Sequence, residues 1–173
     1  MLEKMQSSIN YGIRLVPAER GFSLNRSSAH QGLTPVILLY ATKWYIFWMD
    51  RVFKTRYFAR WMRKTLLTDE ALCRAVQEMV KGLLDADLGG DVVKKRVALP
   101  GRGKSGGART LVATRRTGRW FFVFGFEKNQ KANVSDAELE GLRVLASELL
   151  ALSSAQLGLA VEDGALQEIC HGS

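Results

Sequence analysis

Residues 92–133 read VVKKRVALPGRGKSGGARTLVATRRTGRWFFVFGFEKNQKAN, and this stretch determines both the fold and the charge of the chain. Residues 92–99 are β-branched and extended in pattern, and the Gly- and Pro-rich break at 100–107 separates them from a second extended segment at 108–116. Thr117 and Gly118 then predict a turn into a third segment. The stretch therefore predicts three consecutive strands.

The third of these strands is rich in aromatic residues. Its alternate residues form two apolar faces, one made of Trp120, Phe122, Phe124 and Phe126 and the other of Phe121 and Val123. A strand that is apolar on both faces is typical of the middle of a sheet, where both faces are buried. We therefore expect this strand to fix the frame of the sheet.

Positive charge is concentrated in the same stretch, which holds eleven Lys or Arg residues and the single acid Glu127. The whole chain of 173 residues has a formal net charge of +8. An excess of cations attracts polyanions and steers them in, so nucleic acid is the first partner to consider. Because the cations lie on adjacent strands and the loop between them, we expect them to share one surface patch.

The rest of the chain predicts one domain with an α+β fold. A short strand at 51–54 and a short basic helix at 57–64 come first, and a helix with Thr68 as its N-cap follows. Ser135 opens a capping box and a leucine-rich helix, and a last short helix follows Ser153. We therefore predict an antiparallel sheet, made of the short N-terminal strand and the three-strand meander, packed through one face on two N-terminal helices and a C-terminal helix.

Residues 1–48 lack this regular pattern. We predict that they form a poorly ordered extension, with Met49 as the true start, and that 49–173 is the domain. The apolar run at 35–49 includes Lys43 and is shorter than the roughly 20 residues needed to span a bilayer. Association with a membrane and a packing role in the fold stay open as alternatives for this segment.

Residues with metal-binding or redox chemistry are scarce: Cys73, Cys170, His30 and His171 are the only cysteines and histidines. A structural zinc site needs about four N or S ligands, so we expect no metal, and nothing predicts a cofactor. The chain looks like a cytosolic protein, so we expect no disulfide and interpret Cys73 as a small core residue.

The glycine loop matches a known phosphate-binding pattern, since Gly101, Gly103 and Gly106 satisfy G-x-G-x-x-G. That pattern has to open a helix to bind a dinucleotide, whereas 108–116 predicts a strand, so we interpret the loop as a hairpin connection. No histidine lies near the basic stretch, so an enzyme here would work with Lys and Arg. RNA permits this, because its own 2′-hydroxyl is the nucleophile and the protein only orients it, stabilises phosphoryl charge and moves protons.

Two segments together carry a resemblance to a known family. RGKSGGART at 102–110 and FVFGFEKNQKAN at 122–133, followed by the leucine-rich helix and the ending GALQEI at 164–169, resemble the RelE/ParE-superfamily toxins of bacterial type II toxin–antitoxin systems, in particular the HigB-like branch. The resemblance covers about residues 49–170 and leaves 1–48 outside. It implies a small RelE-like fold, cleavage of messenger RNA, usually on the ribosome, and no metal.

The resemblance also suggests site residues. Arg96 stands where the family has a strand cation, Arg109 matches the arginine that opens the next strand, and Lys128 stands close to a further cation. We add Lys104 from the glycine loop to these candidate catalytic residues. The neighbouring cations Lys94, Lys95, Arg102 and Lys131 are expected to bind RNA. Asn133 and Ser135 occupy a region where some relatives carry an aromatic residue or histidine, so the base-stacking group and the proton donor are not assigned.

The favoured function is therefore that of a cytoplasmic toxin that cuts messenger RNA as a metal-independent endoribonuclease and inhibits translation. The expected partners are a cognate antitoxin, of the helix-turn-helix type, messenger RNA and the ribosome, with no membrane. Two alternatives stay open: a superfamily toxin that blocks DNA gyrase without cleaving anything, and an inactive paralogue that only binds nucleic acid.

Overall fold

A computed structural model describes residues 50–101, 103–116, 118–127 and 133–170, with the backbone alone at 103–105. Six strands and four helices follow one another along these residues. In chain order they are β1 (Arg51–Thr55), α1 (Arg56–Met62), α2 (Asp69–Val80), β2 (Ala86–Asp87), β3 (Val92–Leu99), β4 (Gly103–Ala113), β5 (Arg119–Glu127), α3 (Asp136–Ala151), α4 (Ser154–Glu162) and β6 (Leu166–Ile169). The predicted α+β class is confirmed.

The six strands form a single sheet in the order β2-β3-β4-β5-β1-β6. The predicted meander β3-β4-β5 is antiparallel, as expected. The N-terminal strand β1 differs from the prediction because it pairs with β5 in parallel. The sequence reading also missed β2 and β6, which pair antiparallel with β3 and β1. The aromatic strand β5 therefore lies inside the sheet, between β4 and β1.

Helices cover both faces of the sheet, whereas the prediction placed them on one. On the first face, α1 and α2 pack on a core that includes Trp120 and Phe122. On the second face, α3 and α4 pack on a core that includes Phe121 and Leu111. These four sheet residues are fully buried, and each face of the sheet therefore has its own apolar core.

An irregularity in the β4–β5 ladder moves two aromatic side chains to the other face. The register shifts between Leu111 and Val112, so that Leu111 lies opposite Phe124 and Val112 opposite Phe122. An extra residue in one strand reverses the alternation beyond it. Phe124 and Phe126 therefore belong to the second core together with Phe121, and the predicted grouping with Trp120 and Phe122 is wrong.

Local signals set the helix starts as predicted. The side chain of Thr68 accepts a hydrogen bond from the amide of Ala71, and Asp69 and Glu70 lie in the first turn of α2, where the helix dipole favours acids. Ser135 and Glu138 form the predicted capping box of α3. The helix α2 ends at Val80, which is 41% exposed.

A disulfide joins Cys73 of α2 to Cys170, the residue after β6. The expectation of no disulfide is therefore wrong for these residues. The two cysteines are 97 residues apart in sequence, and the fold brings them together because both pack against the first core. The bond ties the end of β6, an edge strand of the sheet, to α2. This helix packs against β3, which lies near the other edge of the sheet.

Candidate nucleic-acid interface

The two predicted catalytic arginines are direct neighbours in the sheet. Arg96 of β3 lies opposite Arg109 of β4, and Arg109 in turn lies opposite Phe126 of β5. Directly opposed residues point to the same face, so both guanidinium groups lie on the face of the second core. We call Arg96, Arg109 and Phe126 the cationic end of the sheet.

Arg96 is held by an acid that the sequence reading did not select. The Arg96 Nε donates to Asp85 Oδ1 at 2.6 Å, and the Arg96 backbone N–H donates to Asp85 Oδ2 at 2.6 Å. The side chain of Asp85 is 18% exposed, whereas that of Arg96 is 51% exposed. The carboxylate thus holds the Arg96 side chain at Nε, while about half of that side chain stays exposed to solvent.

The same contacts change the acidity of Asp85. Partial burial by itself would raise the pKa of this carboxyl, but the hydrogen bonds and positive charge of Arg96 outweigh burial, and the pKa lies below its ordinary value. Lys95 adds to this effect through its charge. Asp85 therefore carries its negative charge beside Arg96 at neutral pH and lowers the repulsion between Arg96 and Arg109.

Arg109 lies at one end of a row of aromatic rings. Its guanidinium carbon is 6.0 Å from the centre of the Phe126 ring, a cation–π contact. Phe126 contacts Phe124 with 6.0 Å between ring centres, and Phe124 stacks on Tyr57 of α1 at 6.0 Å. We call Phe126, Phe124 and Tyr57 the aromatic row. On the face of the second core it connects β4 across β5 to Tyr57 at the start of α1, whereas the buried residues Phe58 and Met62 of α1 pack on the first core.

The neighbours Lys94 and Lys95 point to opposite faces of β3. Lys95 is buried, and its Nζ donates to the backbone oxygen of Leu83 at 2.6 Å and pairs with Glu78 Oε2 at 2.7 Å. Lys94 is partly exposed and lies on the same face as Arg96, because strand residues two apart share a face. Lys95 thus braces α2 against β3, and Lys94 is the one whose position suits contact with a ligand.

The other four predicted site residues are described only in part or not at all. Lys104 belongs to β4 by its backbone, and its side chain lies outside the described part. Arg102, Lys128 and Lys131 also lie outside the described residues. By sequence, Lys128 follows Glu127, which lies opposite Ala108, next to Arg109.

The remaining cations of the basic stretch do not join the cationic end, so the expectation of one shared patch is wrong. Arg115 pairs with Asp91, and Arg116 pairs with Asp87. Arg119 donates to the backbone oxygen of Leu152. These residues follow β4 or begin β5, and since a strand rises about 3.3 Å per residue, Arg115 lies roughly 20 Å along the chain from Arg109. The basic stretch is divided between two ends of the sheet.

Two grooves open on the described surface away from the cationic end. A groove of about 930 Å³ lies between α1, the start of α2 and β6, and includes Lys54 and Asp69, whose Nζ and Oδ1 are 2.6 Å apart. A second, of about 350 Å³, surrounds Arg115 and Arg116. Among the described residues, no three His, Cys, Asp or Glu side chains are grouped so that they could hold a metal ion.

The sequence reading missed Asp85, Glu78 and Tyr57 as parts of this region. Asp85 lies just before β2, a strand of two residues, which is too short to show an alternating pattern. Tyr57 lies in the predicted basic helix. An aromatic residue beside four cations is a pattern from which a nucleic-acid surface could have been predicted.

No single helix within the described residues is long and apolar enough to cross a membrane. Only α3 and α4 taken as a pair pass that test, and the pair is bent by 111°. Both helices place their buried residues on the second core.

Comparison with known proteins identifies the family. No curated protein is similar enough to the chain to count as a match. The family model described as the RelE toxin of the RelE/RelB toxin–antitoxin system matches residues 50–169. This match spans well over half of the chain and includes every described strand and helix. The chain belongs to the RelE toxin family and is the toxin component of a toxin–antitoxin system, with an antitoxin as its partner.

Proposed function

We propose that this toxin is a metal-independent endoribonuclease that cuts single-stranded messenger RNA at the cationic end of the sheet. The observation that carries the proposal is the direct opposition of Arg96 and Arg109 on one face. Two guanidinium groups side by side suit the oxygens of a phosphodiester, because each presents several N–H donors in a plane. Membership of the RelE family supports the same reading.

The reaction needs charge stabilisation and two proton transfers. The 2′-hydroxyl oxygen of one nucleotide attacks the adjacent phosphorus while the bond from phosphorus to the 5′-oxygen breaks. The products are a 2′,3′-cyclic phosphate and a new 5′-hydroxyl. One group accepts the proton of the 2′-hydroxyl and another supplies a proton to the 5′-oxygen.

Arginine and lysine suit different parts of this reaction. Arginine stays protonated in proteins, so Arg96 and Arg109 stabilise the phosphoryl oxygens and do not transfer protons. Lysine can lose its proton when other cations lie nearby, so we assign the proton transfers to Lys104 and Lys128. Lys94, Arg102 and Lys131 contact the RNA backbone. Lys95, committed to Glu78 and Leu83, positions this strand instead.

We also propose the type of toxin, its place of action and the type of antitoxin. The segments that resemble the HigB-like branch support a toxin of that type, acting in the cytoplasm on messenger RNA at the ribosome and so inhibiting translation. The antitoxin partner is proposed to carry a helix-turn-helix domain and to cover the cationic end with acidic residues. Opposite charge across such an interface speeds association and excludes RNA.

The test uses a synthetic single-stranded RNA that the parent protein cuts, with and without ribosomes. Replacing the 2′-hydroxyl by hydrogen at the cut nucleotide should abolish cleavage at that bond alone. Arg109→Ala and Lys128→Ala should each slow cutting by roughly 10² to 10³-fold, the size of effect seen when one charge-stabilising or proton-transferring group is removed. Arg115→Ala removes an exposed arginine at the other end of the sheet and is the matched control.

The outcomes separate the candidate functions. Cleavage that survives the 2′-deoxy substitution contradicts the mechanism, and equal loss in Arg109→Ala and Arg115→Ala contradicts the site. If RNA stays intact under all conditions while DNA supercoiling by gyrase is inhibited, the chain is a gyrase toxin. If neither activity is found, it is an inactive relative.

A further inference from the structure

A second cationic surface lies on α1, outside the basic stretch that defines the site. The segment RYFARWMRK at 56–64 contains four cations and no acid. Arg56, Arg60, Arg63 and Lys64 are all exposed. They differ in what they face, because a helix turns by about 100° per residue and distributes its side chains around its axis.

One side of α1 faces the groove of about 930 Å³, which Arg56 and Arg63 line. The charged residues of this groove balance, since its three cations are accompanied by Asp69, Glu70 and Glu168. Arg56 is further engaged, because its guanidinium donates to the backbone oxygens of Gly164 and Asp163. This side of the helix therefore offers little net attraction to a polyanion.

The other side carries Arg60 together with Tyr57 and Trp61, since residues spaced by three and four positions share one helix face. Lys64 follows in the turn after α1, where its backbone N–H donates to the backbone oxygen of Trp61 at 3.0 Å. None of these four residues lines the groove. Trp61 packs over Gly125 of β5, so closely that a Cβ on Gly125 would lie 2.2 Å from the indole ring. Arg60 on α1 and Lys64 just after it thus lie near the end of β5 that carries Phe126.

The aromatic row joins this face to the cationic end. Tyr57 stacks on Phe124, Phe124 contacts Phe126, and Arg109 lies over Phe126, with about 6.0 Å for each of the three contacts. Arg96 and Arg109 therefore stand at one side of the row, and Arg60 and Lys64 at the other side. Tyr57 is partly exposed, whereas Phe126 is 3% exposed.

We infer that α1 is a second contact surface for the RNA strand, with Arg60 and Lys64 binding phosphates several nucleotides away from the phosphodiester that is cut. This inference rests on the proposed function and adds the path of the substrate. A single strand held at Arg96 and Arg109 passes Tyr57, the partly exposed ring of the row, and leaves over α1. Cations on both sides of an exposed aromatic ring are a pattern of proteins that bind single-stranded nucleic acid.

The experiment measures binding, separately from cleavage. A fluorescent, fully 2′-O-methylated RNA oligonucleotide, which cannot be cut by 2′-hydroxyl attack, is titrated with the protein at several salt concentrations. In Arg60→Gln/Lys64→Gln, the slope of log affinity against log salt should fall by about 1.4, because each phosphate contact on a single strand contributes about 0.7. The matched control is Arg74→Gln/Lys81→Gln, which removes two exposed cations of α2 and its C-terminus and should leave the slope unchanged.

Oligonucleotide length gives a second measurement. The loss in Arg60→Gln/Lys64→Gln should disappear when the probe is shortened to a trinucleotide, because a short strand held at Arg96 and Arg109 does not reach α1. The inference is overturned if the long probe shows the same slope for this variant as for the parent, or if the Arg74→Gln/Lys81→Gln control loses as much. It survives if the parent binds the probe with the expected slope but cuts no RNA, an outcome that overturns only the proposed nuclease activity.

Discussion

Arg96 of β3 and Arg109 of β4 lie directly opposite each other. The carboxylate of Asp85 accepts hydrogen bonds from both the side chain and the backbone N–H of Arg96. Like charges in opposed positions of an antiparallel ladder are unfavourable by roughly 0.2 to 1 kcal/mol. The sheet tolerates the pair because one arginine is tied to a carboxylate and the other lies over the Phe126 ring. The arrangement keeps two cations close together in the absence of an anionic ligand.

Asp85→Asn should therefore change both stability and the pH dependence of stability. The pKa of Asp85 in the folded protein lies below its ordinary value. The stabilisation from the carboxylate is then fully present above the ordinary Asp pKa of about 3.9 and is lost as the pH falls through the folded value. We expect the parent to be more stable than Asp85→Asn at neutral pH, and the two unfolding curves to converge below about pH 4.

The measurement is urea unfolding of both proteins from neutral to acid pH. Glu140→Gln, which removes an exposed carboxylate of α3 that pairs with Arg143 and does not touch Arg96, is the control. A stability difference between the parent and Asp85→Asn that stays constant down to the lowest pH would contradict the role of the charge. Asp85→Asn should also cut RNA more slowly, since Arg96 then loses its anchor.

A chain that starts at Met49 should unfold at nearly the same temperature as the full chain. The two described cores draw on residues 52–170, and the family match begins at residue 50. A decrease in melting temperature of more than about 5 °C, roughly 1 kcal/mol for a domain of this size, contradicts the prediction. A chain that starts at Arg56 loses β1 from between β5 and β6 and should not fold, which makes it the positive control.

The parts of the fold that sequence predicted are those specified by neighbouring residues. The capping box of Ser135 and Glu138, the Thr68 cap and the apolar strand around Trp120 each depend on a few adjacent positions. The features that it missed depend on distant partners. The parallel pairing of β1 with β5 joins Val52 to Trp120, and no local pattern distinguishes a parallel from an antiparallel partner.

The candidate site shows the same division. The resemblance to the RelE/ParE toxins suggested Arg96 and Arg109, and the ladder places them opposite each other. The roles of Lys94 and Lys95 could not be separated from sequence, because adjacent lysines look alike until the sheet faces are known. The shift between Leu111 and Val112 likewise moved Phe124 and Phe126 to the face of Arg109, and strict alternation had placed them on the other.

Reduction should destabilise the protein through the bond between Cys73 and Cys170. A cross-link between residues 97 apart restricts the unfolded chain strongly. The chain-entropy model gives roughly 4 to 5 kcal/mol for a loop of about 100 residues. We expect the urea midpoint to fall when a thiol reductant is added, and Cys73→Ser to show the low midpoint with or without reductant. An oxidised parent whose mass and midpoint are unchanged by reductant would show that no such bond forms.

The two adjacent lysines of β3 should give opposite results when each is changed to methionine. Methionine keeps most of the apolar stem and removes the charge. Lys95→Met leaves the backbone oxygen of Leu83 without its donor and Glu78 without its buried partner, while Glu78, at 34% side-chain exposure, can still be solvated. We expect a loss of about 1 to 3 kcal/mol in the free energy of unfolding, with little change in RNA affinity measured at a temperature where the variant stays folded.

Lys94→Met should instead leave the free energy of unfolding within about 0.5 kcal/mol of the parent, as is usual for a surface substitution. Its RNA affinity should fall, and the slope of log affinity against log salt should decrease by about 0.7, the share of one phosphate contact on a single strand. Urea unfolding and fluorescence titration of the same two proteins check both halves of the prediction. If Lys95→Met weakens RNA binding as much as Lys94→Met while remaining folded, then Lys95 contacts the RNA, and the division of β3 into a bracing face and a binding face is wrong.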